Sequence, residues 1–123
     1  MILGIGTDIV EVERVRKAIE KPELKEKAFS KREIEYCKKD KFHQSYAARA
    51  AGKEAFFKAL GTGWRDKMHI NEVEILNDEM GKPYIELSGE TLKVFKQKSG
   101  GQIHISLSHI KETAIAFVII ESK

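Results

Sequence analysis

At 123 residues, 41% hydrophobic, 33% charged and with only two prolines, the chain has the size and composition of one compact domain and is too apolar for intrinsic disorder. Its 22 basic and 19 acidic residues leave a net charge of +3. The two signs are interleaved, which argues against a nucleic-acid binder and suits an acidic protein or a phosphorylated ligand.

The single cysteine, Cys37, excludes an internal disulfide and points to a reducing compartment. Asp8, Glu11 and Glu13 follow a short apolar start too closely for a signal peptide, and the longest clean apolar run, Ala114 to Ile120, is far too short to span a bilayer. The expected location is the cytoplasm, without nucleic acid or membrane as a partner.

In chain order, Ile2 to Val12 alternates as a strand. Leu3, Ile5, Thr7 and Ile9 fall on one face, and Gly4, Gly6, Asp8 and Val10 on the other. The two glycines clear space on the Asp8 face for a ligand or a close backbone. Val12, Val15 and Ile19 recur at helical spacing among Arg14, Arg16 and Lys17, which predicts a short amphipathic helix with a basic face that Pro22 closes. Ser30 and Glu33 form a capping-box pattern for a second helix reaching about Lys39, and a long helix follows from about His43 to Leu60, ended by Gly61 and Gly63. Gly52 inside it costs about 1 kcal/mol relative to alanine.

The second half turns to strands. Val73 to Leu76 and Tyr84 to Leu87 flank the turn-rich Asn77 to Pro83 and predict a hairpin. Thr91 to Gln97 reads as a short helix stopped by Gly100 and Gly101. Ile103 to Ser108 and Ala114 to Ile120 read as a second antiparallel pair. The fold class is α+β, a small antiparallel sheet packed against one long helix and shorter ones.

Glu54 and Lys58 are four apart in the order that favours an intrahelical ion pair. Asp8 alone reads equally as a cap or turn residue. Together, Asp8 and Glu54 offer two hard oxygen ligands and Lys58 a mobile cation, a set suited to magnesium holding a pyrophosphate. His109 stands at a strand end, better placed for a ligand than His104. The opening Gly4-Ile5-Gly6-Thr7-Asp8-Ile9 fails the dinucleotide fingerprint at Ile9, and no P-loop pattern occurs. A magnesium phosphohydrolase and a non-enzymatic binding module remain compatible with these residues.

Three segments resemble the signatures of the holo-[acyl-carrier-protein] synthases, the short bacterial type of 4'-phosphopantetheinyl transferase. They are Gly4 to Val15, Arg49 to Gly63 and Ser106-Leu107-Ser108-His109. Gly52 departs from the pattern, where alanine is expected. The resemblance implies transfer of the phosphopantetheine arm of coenzyme A to a serine of acyl carrier protein, releasing adenosine 3',5'-bisphosphate in support of fatty acid biosynthesis. It assigns Asp8 and Glu54 to Mg2+, and Lys58, with those two, to catalysis. Arg49, Lys53 and His109 go to the nucleotide phosphates, and the Gly81-Lys82-Pro83 turn to the adenine side. Arg14, Arg16 and Lys17 would dock the acidic carrier. A homotrimer with active sites between neighbouring subunits is also implied.

Overall fold

The computed structural model describes residues 1–63 and 68–123. The N-terminal alternation forms β1, Ile2–Glu11, which runs directly into α1, Val12–Ala18. Pro22, expected to close that helix, instead opens the next. α1 ends at Ala18, and Pro22 is the first residue of α2, Pro22–Ala28, where a fixed φ and a missing N–H suit the first turn. No residue of α2 is buried, so no apolar stripe marks it in the sequence. α3, Lys31–Cys37, starts at the predicted capping box: the Glu33 N–H donates to Ser30 Oγ at 3.3 Å and the Ser30 N–H to Glu33 Oε1 at 2.9 Å.

The long helix, α4, spans Gln44–Leu60 and ends at Gly61, whose φ of 81° places the left-handed cap where only glycine is unstrained. Twelve of its 17 residues are buried. Its two exposed positions are Glu54 and Lys58.

Beyond a 3-10 turn at Ile70–Glu72 come β2, Val73–Asn77, β3, Pro83–Leu87, α5, Gly89–Gln97, β4, Gly100–His109, and β5, Thr113–Ser122. Gly100 and Gly101, expected to end α5, open β4; the reversal falls at Ser99, with φ 61°. Both predicted hairpins form, and β1 returns to pair antiparallel with β5. The result is a three-stranded sheet ordered β1-β5-β4 beside the two-stranded β2-β3 sheet, an α+β architecture.

The core gathers Phe56, Phe57 and Leu60 of α4 with Val73, Phe95, Val118 and Ile120. β1 approaches α4 backbone to backbone. A Cβ on Gly4 would lie 1.8 Å from the Ala59 carbonyl oxygen, and one on Gly6 1.9 Å from that of Ala55. The space the glycines leave on the Asp8 face is therefore filled by the helix itself. Gly52 has a packing reason too, since an alanine Cβ there would meet Ile75 Cδ1 at 2.5 Å. Cys37 is buried, and desolvation pushes its thiol up to about 11. The opposite sheet face is bare: Leu3, Ile5, Ile9, Ile115 and Phe117 are between 41% and 65% exposed.

Glu72 caps α5 from outside that helix. Its carboxylate accepts from the backbone N–H of His69 at 3.0 Å, Glu90 at 3.1 Å and Thr91 at 3.2 Å, and from Thr91 Oγ1 at 2.8 Å. Burial works to raise its pKa, and these donors outweigh burial, holding it below 4.5.

Two outcomes are expected. Gly6→Ala forces β1 away from a backbone that cannot yield, and the urea-unfolding free energy falls by about 3 kcal/mol. For Glu72 the folded pKa is depressed, so its contribution is present above the unfolded value of about 4.3 and fades as pH drops through the folded one. Glu72→Gln should therefore flatten the loss of stability below about pH 4.5 in acid titrations followed by circular dichroism.

Candidate active site

The period-two alternation of β1 puts Asp8 on the side of Gly4 and Gly6, facing α4. There Lys58 Nζ donates to Asp8 Oδ1 and to the Thr7 carbonyl, both at 3.0 Å. The intrahelical pair suggested by spacing does not form. Lys58 crosses to β1, and Glu54 makes no hydrogen bond or ion pair with the described residues. The Asp8 side chain is 17% exposed and that of Lys58 55%, so the link is a wet one that a ligand can displace.

Asp8, Glu11, Glu54 and Arg14 line one cavity of about 950 Å3. It continues between α1 and α2 past Val15, Ile19 and Leu24 to Phe29. Arg14 is exposed at its edge without a partner among the described residues, and Lys17 is exposed on the same helix. Arg16 is engaged within α1: Nε donates to Glu13 at 2.8 Å, Nη2 to Glu13 at 2.6 Å and Nη1 to Glu20 at 2.8 Å. Of the three basic residues predicted to dock a carrier, Arg16 is thus committed to its own helix.

The donors fit magnesium in a particular way. Among the described residues no three of His, Cys, Asp or Glu gather as a cage. Two carboxylates on an open cavity are what an ion needs when water and phosphate oxygens complete its shell.

Two expected phosphate ligands are placed elsewhere. Lys53 is 1% exposed, and its ammonium donates to Glu33 Oε1 and the Ala28 carbonyl, each at 2.6 Å. Burial pulls that ammonium below its ordinary range while Glu33 opposes the shift. It cannot reach a nucleotide from there. Arg49 is 3% exposed, with Nε on the Ile75 carbonyl at 3.1 Å, Nη2 on Asn77 Oδ1 and its guanidinium 4.5 Å from the centre of the Tyr36 ring. Each of its bonds ends on a protein group, so this side chain too is first a structural strut.

Asn77, expected only as a turn former, donates in turn to the Gly81 carbonyl at 3.0 Å. It ties Arg49 to the Gly81-Lys82-Pro83 turn. His109 is exposed at the end of β4, opposite Ala114. None of Arg49, Lys82 or His109 lines the cavity that holds Asp8 and Glu54. Arg49 and Glu54, five residues apart, point about 140° from each other around α4.

A glycine-cleared strand seated on a buried helix that exposes only Glu54 and Lys58 brings two carboxylates, Asp8 and Glu54, to one end of a largely apolar cavity. The model of the 4'-phosphopantetheinyl transferase superfamily matches residues 4–118, and the chain belongs to that family. It is 46% identical to the holo-[acyl-carrier-protein] synthase of Clostridium tetani over 125 residues, covering 100% of this chain and 98% of that one. It is 48% identical to the synthase of Treponema denticola, covering 98% and 99%. The fold matches the Bacillus anthracis synthase crystallised in complex with CoA (3',5'-ADP), with TM-score 0.82, 34% identity and coverage of 100% and 99%. It also matches the Helicobacter pylori synthase in complex with coenzyme A, with TM-score 0.82, 32% identity and coverage of 95% and 99%. Within the superfamily, the chain is an enzyme of the holo-[acyl-carrier-protein] synthase type.

Because one partner of the Asp8–Lys58 link is more than half exposed, removing it costs little structure. Asp8→Asn should change the urea-unfolding free energy by less than about 1 kcal/mol.

Proposed function

We propose that this chain transfers the 4'-phosphopantetheine arm of coenzyme A to a serine of apo acyl carrier protein with Mg2+, releasing adenosine 3',5'-bisphosphate, in the cytoplasm and in support of fatty acid biosynthesis. The observation that carries this reading is that Asp8, held by Lys58, and Glu54, without a partner among the described residues, line one cavity. A displaceable cation already rests on the carboxylate where a metal would bind.

Asp8 and Glu54 would hold the ion. When bound, magnesium supplies charge neutralisation to the pyrophosphate as its P–O bond breaks. Lys58, released from Asp8, turns to the phosphate oxygens and stabilises the departing bisphosphate. The carrier's serine oxygen bonds to the β-phosphorus, and its proton passes to Glu54 directly or through one water. Arg14 and Lys17 present free positive charge to the acidic carrier, with Arg16 stiffening the helix between them.

The active unit is a homotrimer with sites shared between subunits. Two features support this. The nucleotide-side residues Arg49, His109 and the Gly81-Lys82-Pro83 turn lie outside the cavity of Asp8 and Glu54. A continuous apolar sheet face, led by Ile5, Ile9 and Phe117, is left bare in the isolated chain, and cyclic packing of copies would cover it. In this arrangement Arg49 helps bind the nucleotide by fixing the hairpin turn through Asn77, and a neighbouring copy supplies that turn and His109 to each Asp8–Glu54 site.

Incubation with coenzyme A, apo carrier and Mg2+ should yield a carrier heavier by about 340 Da, the mass of the transferred arm. Asp8→Asn and Glu54→Gln should each lower turnover at limiting Mg2+ by at least about a hundredfold. Cleavage of coenzyme A without carrier would favour a hydrolase, and no reaction at all a binding module. Glu54→Gln and His109→Ala chains, each impaired alone, should regain activity when co-assembled, because some hybrid sites then carry both native residues. Failure to complement would place the whole site within one subunit.

A further inference from the structure

The buried pair of Lys53 and Glu33 takes no part in the chemistry above, yet it joins the segments that form one wall of the cavity. Lys53 Nζ holds the last carbonyl of α2, from Ala28, at 2.6 Å, reaches the Ile70 carbonyl at 3.5 Å and lies 5.0 Å from the centre of the Phe29 ring. Ala28, Phe29 and Ile70 all line the groove that leads away from Asp8 and Glu54. Glu33, wholly buried, completes the arrangement: Oε1 takes Lys53 Nζ and the Ser30 N–H, and Oε2 takes the Ile75 N–H at 3.0 Å.

The importance of this contact to α2 follows from what α2 lacks. It buries no residue of its own, so apolar packing within the chain does little to locate it. Lys25 lies over the Tyr46 ring at 5.5 Å and Asn71 reaches the Glu26 carbonyl at 3.5 Å, both outside the core, so the buried hold on α2 is at its C-terminal end, where the Ala28 carbonyl accepts from Lys53 and the adjoining Phe29 is buried. A buried ion pair is a poor source of stability compared with apolar side chains of the same volume. What it offers here is direction: an ammonium aimed at one carbonyl fixes where the helix sits.

We infer that Lys53, paired with Glu33, is a positioning residue that holds α2 against α4 and thereby sets the groove between α1 and α2 for the incoming carrier protein. The inference rests on the transfer reaction proposed above and on carrier docking at Arg14, which lines the same groove. Lys53 acts on carrier binding and leaves the phosphoryl step to Asp8, Glu54 and Lys58. The occupant is the acidic carrier: with Asp8 and Glu54 given to the reaction proposed above, the groove's remaining charges are Glu11 against Lys27 and Arg14, the last without a partner among the described residues.

The test measures Kd for fluorescently labelled apo carrier, together with kcat and the KM for coenzyme A, in Lys53→Met and in a control. Val94→Ala, in α5 and away from the groove, supplies a comparable core defect. Both are assayed well below their unfolding midpoints. Lys53→Met should weaken carrier binding at least tenfold with kcat and the coenzyme A KM within about twofold, while Val94→Ala leaves all three near wild type. Hydrogen exchange should show the amides of residues 23–28 opening at least tenfold faster in Lys53→Met only. If Lys53→Met does not fold, Glu33→Gln, which keeps the shape and one acceptor, carries the same comparison.

A carrier Kd unchanged in the folded variant, or changed equally in the control, overturns the positioning role whatever the turnover. A wild-type protein that binds carrier but transfers no arm refutes the reaction and leaves the Kd comparison to decide the positioning. One that binds no carrier overturns both.

Discussion

The close approach of β1 to α4 is the constraint on which the rest of the structure depends. Two glycines spaced by two remove the side chains that would hold strand and helix apart, and a Cβ on either would fall within 2 Å of a helix carbonyl oxygen. The next residue on that face is Asp8, which the contact delivers to Lys58 and to the cavity of Glu54. Backbone packing thus sets the site, because the element carrying one carboxylate is seated directly on the element carrying the other.

α4 bears two adjacent charges with opposite fates. Lys53 turns inward to a dry pair with Glu33, and Glu54 turns out to the cavity. One turn later Lys58 is held by a wet contact to Asp8. The difference lies in solvent. A buried pair that loses one member leaves an uncompensated charge in low dielectric and is hard to rearrange, whereas an exposed pair exchanges partners at small cost. The same helix therefore contains a fixed strut and a movable cation.

Much of this was legible in the sequence, and the misses have physical causes. The strand alternation, both hairpins, the Ser30–Glu33 cap and the Gly61 stop depend on neighbours within a few residues, and all form as read. Which face of β1 turns inward was only half visible: the glycines marked the close contact, but the apolar Leu3, Ile5 and Ile9 lie on the solvent side of the isolated chain. α2 escaped because it buries nothing, and Pro22 serves equally to stop one helix or start another. Lys53 and Arg49 looked like ligands because their partners, Glu33 and Asn77, lie 20 and 28 residues away. Glu33 was hidden further by its local role, since a capping box accounts for the residue without any long-range partner.

The sheet order has a consequence for the order of assembly. β1 has one strand neighbour, β5, and Thr7 Oγ1 donates to the Ala116 carbonyl across 109 positions of sequence. β1, which carries Asp8, precedes the other strands described, yet it has no strand partner until β5, the last of them, exists. On the ribosome the segment bearing Asp8 waits as an unpaired apolar strand, and closing the long loop from β1 to β5 is what seats it. A nascent chain cut short before β5 would therefore keep α4 with Glu54 and Lys58 but have no sheet to hold Asp8 beside them.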